Sequence, residues 1–262
     1  MTTFRSGMTQ PSPGDELWCR RFHPADKPTA RLVCLPHAGG SAPFFLPVAA
    51  ALSPDVDVVA IQYPGRQDRR AEAPVDDLSV LVDRIHQVLR RQPDLPLTLF
   101  GHSMGAVIGF ELARRLEADG RPPVRLLASG RRAPGTHRDE TTFTSDEAIM
   151  AEVRRLSGTA AALLDDEEMM RAALPALRAD YRAIEVYRCG PDAVVDTPIT
   201  VLTGDNDPKT TLDEAKAWDR HTRGGCDLRV FAGGHFFISE RSAEVMQVLK
   251  EHFRQEGVRG VG

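Results

Sequence analysis

Four cysteines are scattered over 262 residues, at positions 19, 34, 189 and 226, with no CxxC pair among them. That spacing excludes a disulfide framework and the usual thiolate zinc site. Long apolar runs are missing as well: none approaches the ~18 residues that a membrane span needs. The opening MTTFRSGMTQPSPGDE lacks the hydrophobic stretch of a secretory signal. Together these absences predict a cytoplasmic protein with reduced thiols and no membrane contact. There is no cationic excess either. Thirty-three Lys and Arg face thirty-seven Asp and Glu, a net charge of −4, which argues against a general nucleic-acid binder. We find no internal repeat, and no low-complexity segment beyond the N-terminus.

What remains is the composition of a globular enzyme, 42% hydrophobic and 27% charged, in a chain long enough for one large core. Residues 1–15 are rich in Ser, Thr, Pro and Gly and read as a loose tail. From 16 to 262 we expect a single domain. Short apolar runs at 31–35, 56–61, 97–100, 124–128, 199–203 and 228–231 alternate with helical patterns at 44–52, 78–89, 106–118, 212–221 and 243–253. Strands alternating with helices predict an α/β fold with a mostly parallel sheet covered on both faces. The alternation breaks over about 134–196. That stretch is helix-rich, with candidate helices at 147–156 and 167–187, and has the size of an inserted lid.

The chemistry concentrates in Gly101-His102-Ser103-Met104-Gly105. G-x-S-x-G alone is a weak signal. Here it directly follows the strand LTLF and opens a helix, the setting in which the turn presents a serine as nucleophile. The flanking glycines are what so tight a turn requires. A serine hydroxyl needs a base, and in this architecture an acid and then a histidine follow it in the chain. His235 lies just past the last strand on a glycine-rich loop and is the expected base. His221 and His252 are expected to be solvated. The loop Thr203-Gly204-Asp205-Asn206-Asp207-Pro208 offers two acids. Asp205 is placed to cap its own turn, so we favour Asp207 as the residue that orients the imidazole. Two backbone N–H groups should stabilise the oxyanion. One belongs to Met104; the other comes from His37-Ala38-Gly39-Gly40, where we choose Ala38 over its rival Gly39. His37 and His102 are expected to organise their loops rather than to react.

Five segments occur in order: Pro36-His37-Ala38-Gly39-Gly40-Ser41, Gln62-Tyr63-Pro64-Gly65-Arg66-Gln67-Asp68-Arg69, the serine elbow, Gly204-Asp205-Asn206-Asp207-Pro208 and Gly233-Gly234-His235-Phe236. In this the chain resembles the type II thioesterases that accompany polyketide synthases and nonribosomal peptide synthetases. Ser129-Gly130-Arg131-Arg132-Ala133-Pro134 resembles the polyketide branch. The resemblance implies an α/β-hydrolase fold with a helical lid, a triad of Ser103, Asp207 and His235, and an oxyanion hole at Ala38 and Met104. It implies hydrolysis of stalled acyl groups from the phosphopantetheine arm of acyl- or peptidyl-carrier domains, with no cofactor and no metal. Another serine esterase on the same fold is the alternative. Carrier domains in this family are generally acidic, so Arg66, Arg131 and Arg132 are candidate contacts to the carrier or its phosphate. Nothing in the sequence argues for a subunit interface, and a monomer is expected.

Overall fold

The six predicted strands are almost unbroken apolar runs, and such runs are stable only when both sheet faces are covered. In a computed structural model, which describes residues 14–138, 145–157, 167–190 and 192–259, they form that sheet. The strands are β1 (Cys19–Arg20), β2 (Ala30–Leu35), β3 (Val56–Ile61), β4 (Leu97–His102), β5 (Arg125–Ser129), β6 (Ile199–Gly204) and β7 (Cys226–Phe231). Their order across the sheet is β1-β3-β2-β4-β5-β6-β7. All neighbouring pairs are parallel except β1 with β3. The fold is thus an α/β-hydrolase fold, with one antiparallel edge strand that is too short to leave a sequence signal.

The period of two along each strand divides the core. Val33, Leu35, Val59 and Leu99 pack with α3 (Leu78–Arg90) and α4 (Met104–Ala118) on one face. Leu32, Cys34, Val58 and Phe100 pack with α2 (Leu46–Leu52) and α9 (Ser242–Arg259) on the other. The apolar stripe of α3 starts at Asp77, whose side chain accepts the Val80 N–H at 3.0 Å and caps the helix. By contrast α4 is buried nearly all round over its first ten residues, as suits a helix at the centre of the molecule.

Short helices α1 (Asp15–Trp18), α7 (Leu212–Lys216) and α8 (Phe237–Glu240) complete the frame. Of the expected tail, residues 1–13 lie outside the described residues, but Asp15 belongs to the fold. It is buried and ion-paired with Arg91. Within the 134–196 stretch stand α5 (Asp146–Ser157) and α6 (Glu167–Val186). They carry their own apolar cluster of Ile149, Met170, Leu174, Leu177 and Tyr181, separate from the two main layers. Residues 139–144, 158–166 and 191 of that stretch lie outside the described residues.

Candidate active site

The parallel strands bring their carboxyl ends to one edge, and the loops after β4, β6 and β7 meet there. β4 ends at His102, and Ser103 turns the chain into α4 with φ 54° and ψ −114°. Positive φ at a residue with a Cβ is strained and persists only where surrounding structure enforces it. The enforcement is visible. The Ser103 N–H donates to the Ser129 carbonyl at 2.7 Å. A Cβ at Gly101 would lie 2.0 Å from the Gly105 oxygen, and one at Gly105 would lie 2.0 Å from the Leu35 oxygen. The elbow therefore closes only with glycine at both positions. The helix begins at Met104, earlier than the expected 106, because Ser103 itself is its N-cap residue. The Ser103 hydroxyl makes no capping bond, so it is left for another partner.

That partner is His235, whose Nε2 lies 3.1 Å from Ser103 Oγ. Its Nδ1 lies 2.9 and 3.0 Å from the two Asp207 oxygens. A carboxylate only accepts, so Nδ1 carries the proton and Nε2 presents a lone pair to the hydroxyl. Both side chains are buried. Asp205 sits apart. Its Oδ1 accepts the Gly233 N–H at 2.9 Å and the Asn206 amide at 2.8 Å, stitching the acid loop to the histidine loop. Of the two acids, the structure brings Asp207 and not Asp205 against the imidazole.

Among the described residues, neither the Ala38 nor the Met104 N–H donates to a protein acceptor. The Gly39 N–H does, to Asp180 Oδ2 at 2.7 Å, which removes the rival donor from the loop. Ser103, Met104, Ala38 and His235 line a cavity of about 350 Å³, walled on the α6 side by Leu177 and Tyr181. Asp180 escaped the sequence reading. Its only local signal was an acid interrupting the apolar stripe of α6 between Leu177 and Ile184.

Four other histidines pack around the site or in the core. His221 and His252 are buried rather than solvated: His221 accepts the Gly135 N–H and meets the Ala193 carbonyl, and His252 pairs with Thr98 Oγ1 at 2.8 Å. His102 is fully buried, with Nδ1 2.9 Å from Ser129 Oγ. His37 stands edge-on between Phe44 and Phe236. Burial, then the neighbouring His235 and Arg66, pushes His37 down to about 3. Burial and the adjacent histidines hold His102 well below its ordinary value. Both rings thus stay neutral where an unfolded chain would be protonated, below about pH 6.5. The unfolded state then binds more protons, so stability is full above pH 6.5 and falls as the pH drops toward the folded values. Each ring contributes a slope of about 1.4 kcal/mol per pH unit. Urea unfolding between pH 7 and 4.5 should show this decline, and His37→Phe should remove about half of it. An equally steep decline in that variant would refute the assignment.

The arginine expectation needs correction. Arg66 is buried and forms a bidentate pair with Asp180, at 2.6 and 2.9 Å. It has no face to offer a carrier. Neighbouring Arg69 is equally buried, against Glu72 and the Trp18 ring. Arg132 is also buried, 3.5 Å from the Lys209 carbonyl, though it lines the cavity. Arg131 lines the cavity and is half-buried. Among the described residues no cluster of His, Cys, Asp and Glu could hold a metal ion, and no helix is long and apolar enough to cross a membrane.

A serine at a strand–helix elbow, followed in the chain by a carboxylate and a histidine that reach it from adjacent loops, defines an α/β-hydrolase. The chain belongs to the thioesterase family, hydrolases of thioester bonds: the sequence profile of the thioesterase domain matches residues 30–254. It is 53% identical over 237 residues to a probable cadicidin biosynthesis thioesterase of Streptomyces griseus, covering 88% of this chain and 66% of that one. It is 46% identical over 241 residues to thioesterase PikA5 of Streptomyces venezuelae, covering 90% and 85%. Among solved structures, the type II thioesterase BorB of the borrelidin biosynthetic cluster superposes with a TM-score of 0.85 at 50% identity, covering 90% of this chain and 97% of BorB.

Proposed function

We propose that this chain is an editing thioesterase. It releases stalled or aberrant acyl groups from the phosphopantetheine thioester of acyl- or peptidyl-carrier domains of a polyketide or nonribosomal peptide synthase. The observation that carries the reading is the Ser103–His235–Asp207 hydrogen-bonded line at the floor of a cavity, in a chain half identical to a type II thioesterase of such a cluster. Ser103 attacks the thioester carbonyl while His235 takes its proton. The oxyanion forms against the Ala38 and Met104 N–H groups, and the pantetheine sulfur leaves with the proton returned by His235. Water then cleaves the acyl-serine ester, with His235 again as base and Asp207 stabilising the imidazolium. The helices α5 and α6 cover the acyl group as a lid. The enzyme acts as a cytoplasmic monomer in transient contact with its carrier.

The test is intact mass spectrometry of acyl-carrier proteins bearing short or long acyl groups. Loss of the acyl mass, leaving the phosphopantetheine arm, is expected. Turnover of simple esters with no action on any acyl-carrier would favour the general esterase reading instead. Within the same assay, Arg131, which lines the cavity, is assigned to the carrier or the phosphate of its arm. Arg131→Glu should raise KM for acyl-carrier by about three- to tenfold, an effect that added salt weakens. Hydrolysis of acyl-pantetheine lacking the phosphate should change little. Equal losses on both substrates would place the damage inside the site.

A further inference from the structure

The loop that carries Ala38 has little structure of its own, and it is held from two sides. On one side, the loop after β3 grips its backbone. Gln62 accepts the Ala42 N–H at 2.8 Å, the Tyr63 hydroxyl donates to the Pro36 carbonyl at 3.1 Å, and Arg66 donates to the Gly40 carbonyl at 3.1 Å. On the other side stands α6. Its Asp180, 1% exposed, accepts from both Arg66 and the Gly39 N–H. Gly39 has φ +74°, and a Cβ there would lie 2.3 Å from Leu177 Cδ2. One helix thus covers Gly39 with Leu177 and fixes its N–H with Asp180, one turn apart.

The consequence falls on Ala38. The peptide plane that follows Ala38 is the one whose N–H Asp180 holds, which fixes ψ at Ala38 and φ at Gly39. The preceding plane carries the Ala38 N–H, and its carbonyl, that of His37, accepts the Gly40 N–H at 2.9 Å; with the planes on both sides of Ala38 held, its N–H is aimed. Oxyanion donors act because they are held at the right place before charge develops, and a small displacement forfeits much of their effect. We infer that Asp180, on the helix over the cavity, is a positioning residue for the oxyanion hole, acting through the Gly39 N–H, with Arg66 holding its carboxylate. The inference rests on the reading of Ser103 as nucleophile and Ala38 as oxyanion donor. It also accounts for the pairing of two motifs far apart in the sequence: the arginine of the 62–69 segment serves the glycines of the 36–41 segment through a residue on a third.

Removing Asp180 alone would strand a buried arginine and risk the fold, so the test compares two neutral pairs. Asp180→Leu with Arg66→Met removes the acceptor facing Gly39. Asp180→Asn with Arg66→Gln also removes the ion pair but keeps an acceptor oxygen there. Thermal unfolding establishes that both are folded. Turnover of a small acyl-pantetheine should fall by about 10²-fold in the Leu/Met pair, comparable to the loss of an oxyanion donor, with KM changed by less than about threefold. The Asn/Gln pair should lose no more than about tenfold, the difference between a charged and a neutral acceptor.

A second readout isolates the oxyanion. Ser103 Oγ adds to the carbonyl carbon of an acyl trifluoromethyl ketone, the carbonyl electron pair becomes the oxyanion, and the proton goes to His235. Affinity for this inhibitor should fall in the Leu/Met pair by the same factor as turnover. Affinity for an alkyl-pantetheine thioether, which lacks the thioester carbonyl, should stay near wild type. Equal turnover losses in the two pairs, or undiminished inhibitor affinity in the Leu/Met pair, would overturn the role of Asp180. A wild-type enzyme that forms no adduct at all would instead overturn the reading of Ser103.

Discussion

Ser103→Ala is expected to abolish thioester hydrolysis and to leave the fold intact. The loss should reach the scale seen when a triad serine is removed from a protease, about 10⁶-fold in kcat. The stability half of the expectation follows from the same geometry. The Ser103 side chain caps nothing, and among the described residues its hydroxyl meets only the His235 imidazole. Alanine therefore loses one hydrogen bond, worth about 1 kcal/mol, and keeps the strained φ of 54°. Glycine at this position adopts that φ without strain, which recovers about 1 kcal/mol or more. Ser103→Gly should thus be equally inactive yet melt above Ser103→Ala, by a few degrees for a domain of this size. Kinetics and thermal unfolding of the three proteins decide the point. Turnover near wild type in either variant would sink the nucleophile, and a lower melting point for glycine would show that the elbow is not strained.

Much of this frame was legible because the signals were local. The parallel strands are continuous apolar runs that nothing but a covered sheet can bury. The elbow announces itself through two glycines whose Cβ atoms would strike backbone oxygens. Asp207 is preferred to Asp205 on the expectation that Asp205 caps its own turn, but the structure gives that turn bond to Asp207, whose Oδ1 accepts the Lys209 N–H at 2.8 Å, while Asp205 bonds across to the Gly233 N–H of the histidine loop. What escaped was non-local. A two-residue antiparallel strand at Cys19–Arg20 leaves no periodicity. His221 and His252 read as solvated because their neighbours in sequence are polar, whereas their burial is set by Gly135 and Thr98 from elsewhere in the chain. The arginines misled for a similar reason. In sequence, Arg66 stands in a run of charge after a strand and resembles a surface patch. Its partner lies 114 residues away on α6, and no spacing rule connects the two.

Asp207→Asn should cost about 10⁴-fold in turnover, while Asp205→Asn should cost almost nothing by comparison. The asymmetry comes from what holds each carboxylate. Asp207 Oδ1 accepts the Lys209 N–H at 2.8 Å, so in the amide variant the carbonyl oxygen keeps that place. The amide nitrogen then occupies the position of Oδ2, which lies 2.9 Å from His235 Nδ1. In place of two acceptors at 2.9 and 3.0 Å, Nδ1 would face one acceptor and one nearer donor in a buried site, and the imidazole relieves the donor–donor contact by moving its proton from Nδ1 to Nε2. In that tautomer Nε2 points a hydrogen, not a lone pair, at Ser103 Oγ, and the base is lost although every atom stays in place. Asp205 meets no histidine. It accepts one backbone N–H and one amide through a single oxygen on an exposed loop, and asparagine keeps such an oxygen. Both variants should be compared with wild type on a small acyl-pantetheine, together with the rate at which a fluorophosphonate labels Ser103. The label reads the nucleophile directly and should slow in parallel with turnover for Asp207→Asn alone. A crippled Asp205→Asn enzyme, or an Asp207→Asn enzyme within about tenfold of wild type, would mean that a different carboxylate orients His235 during the reaction.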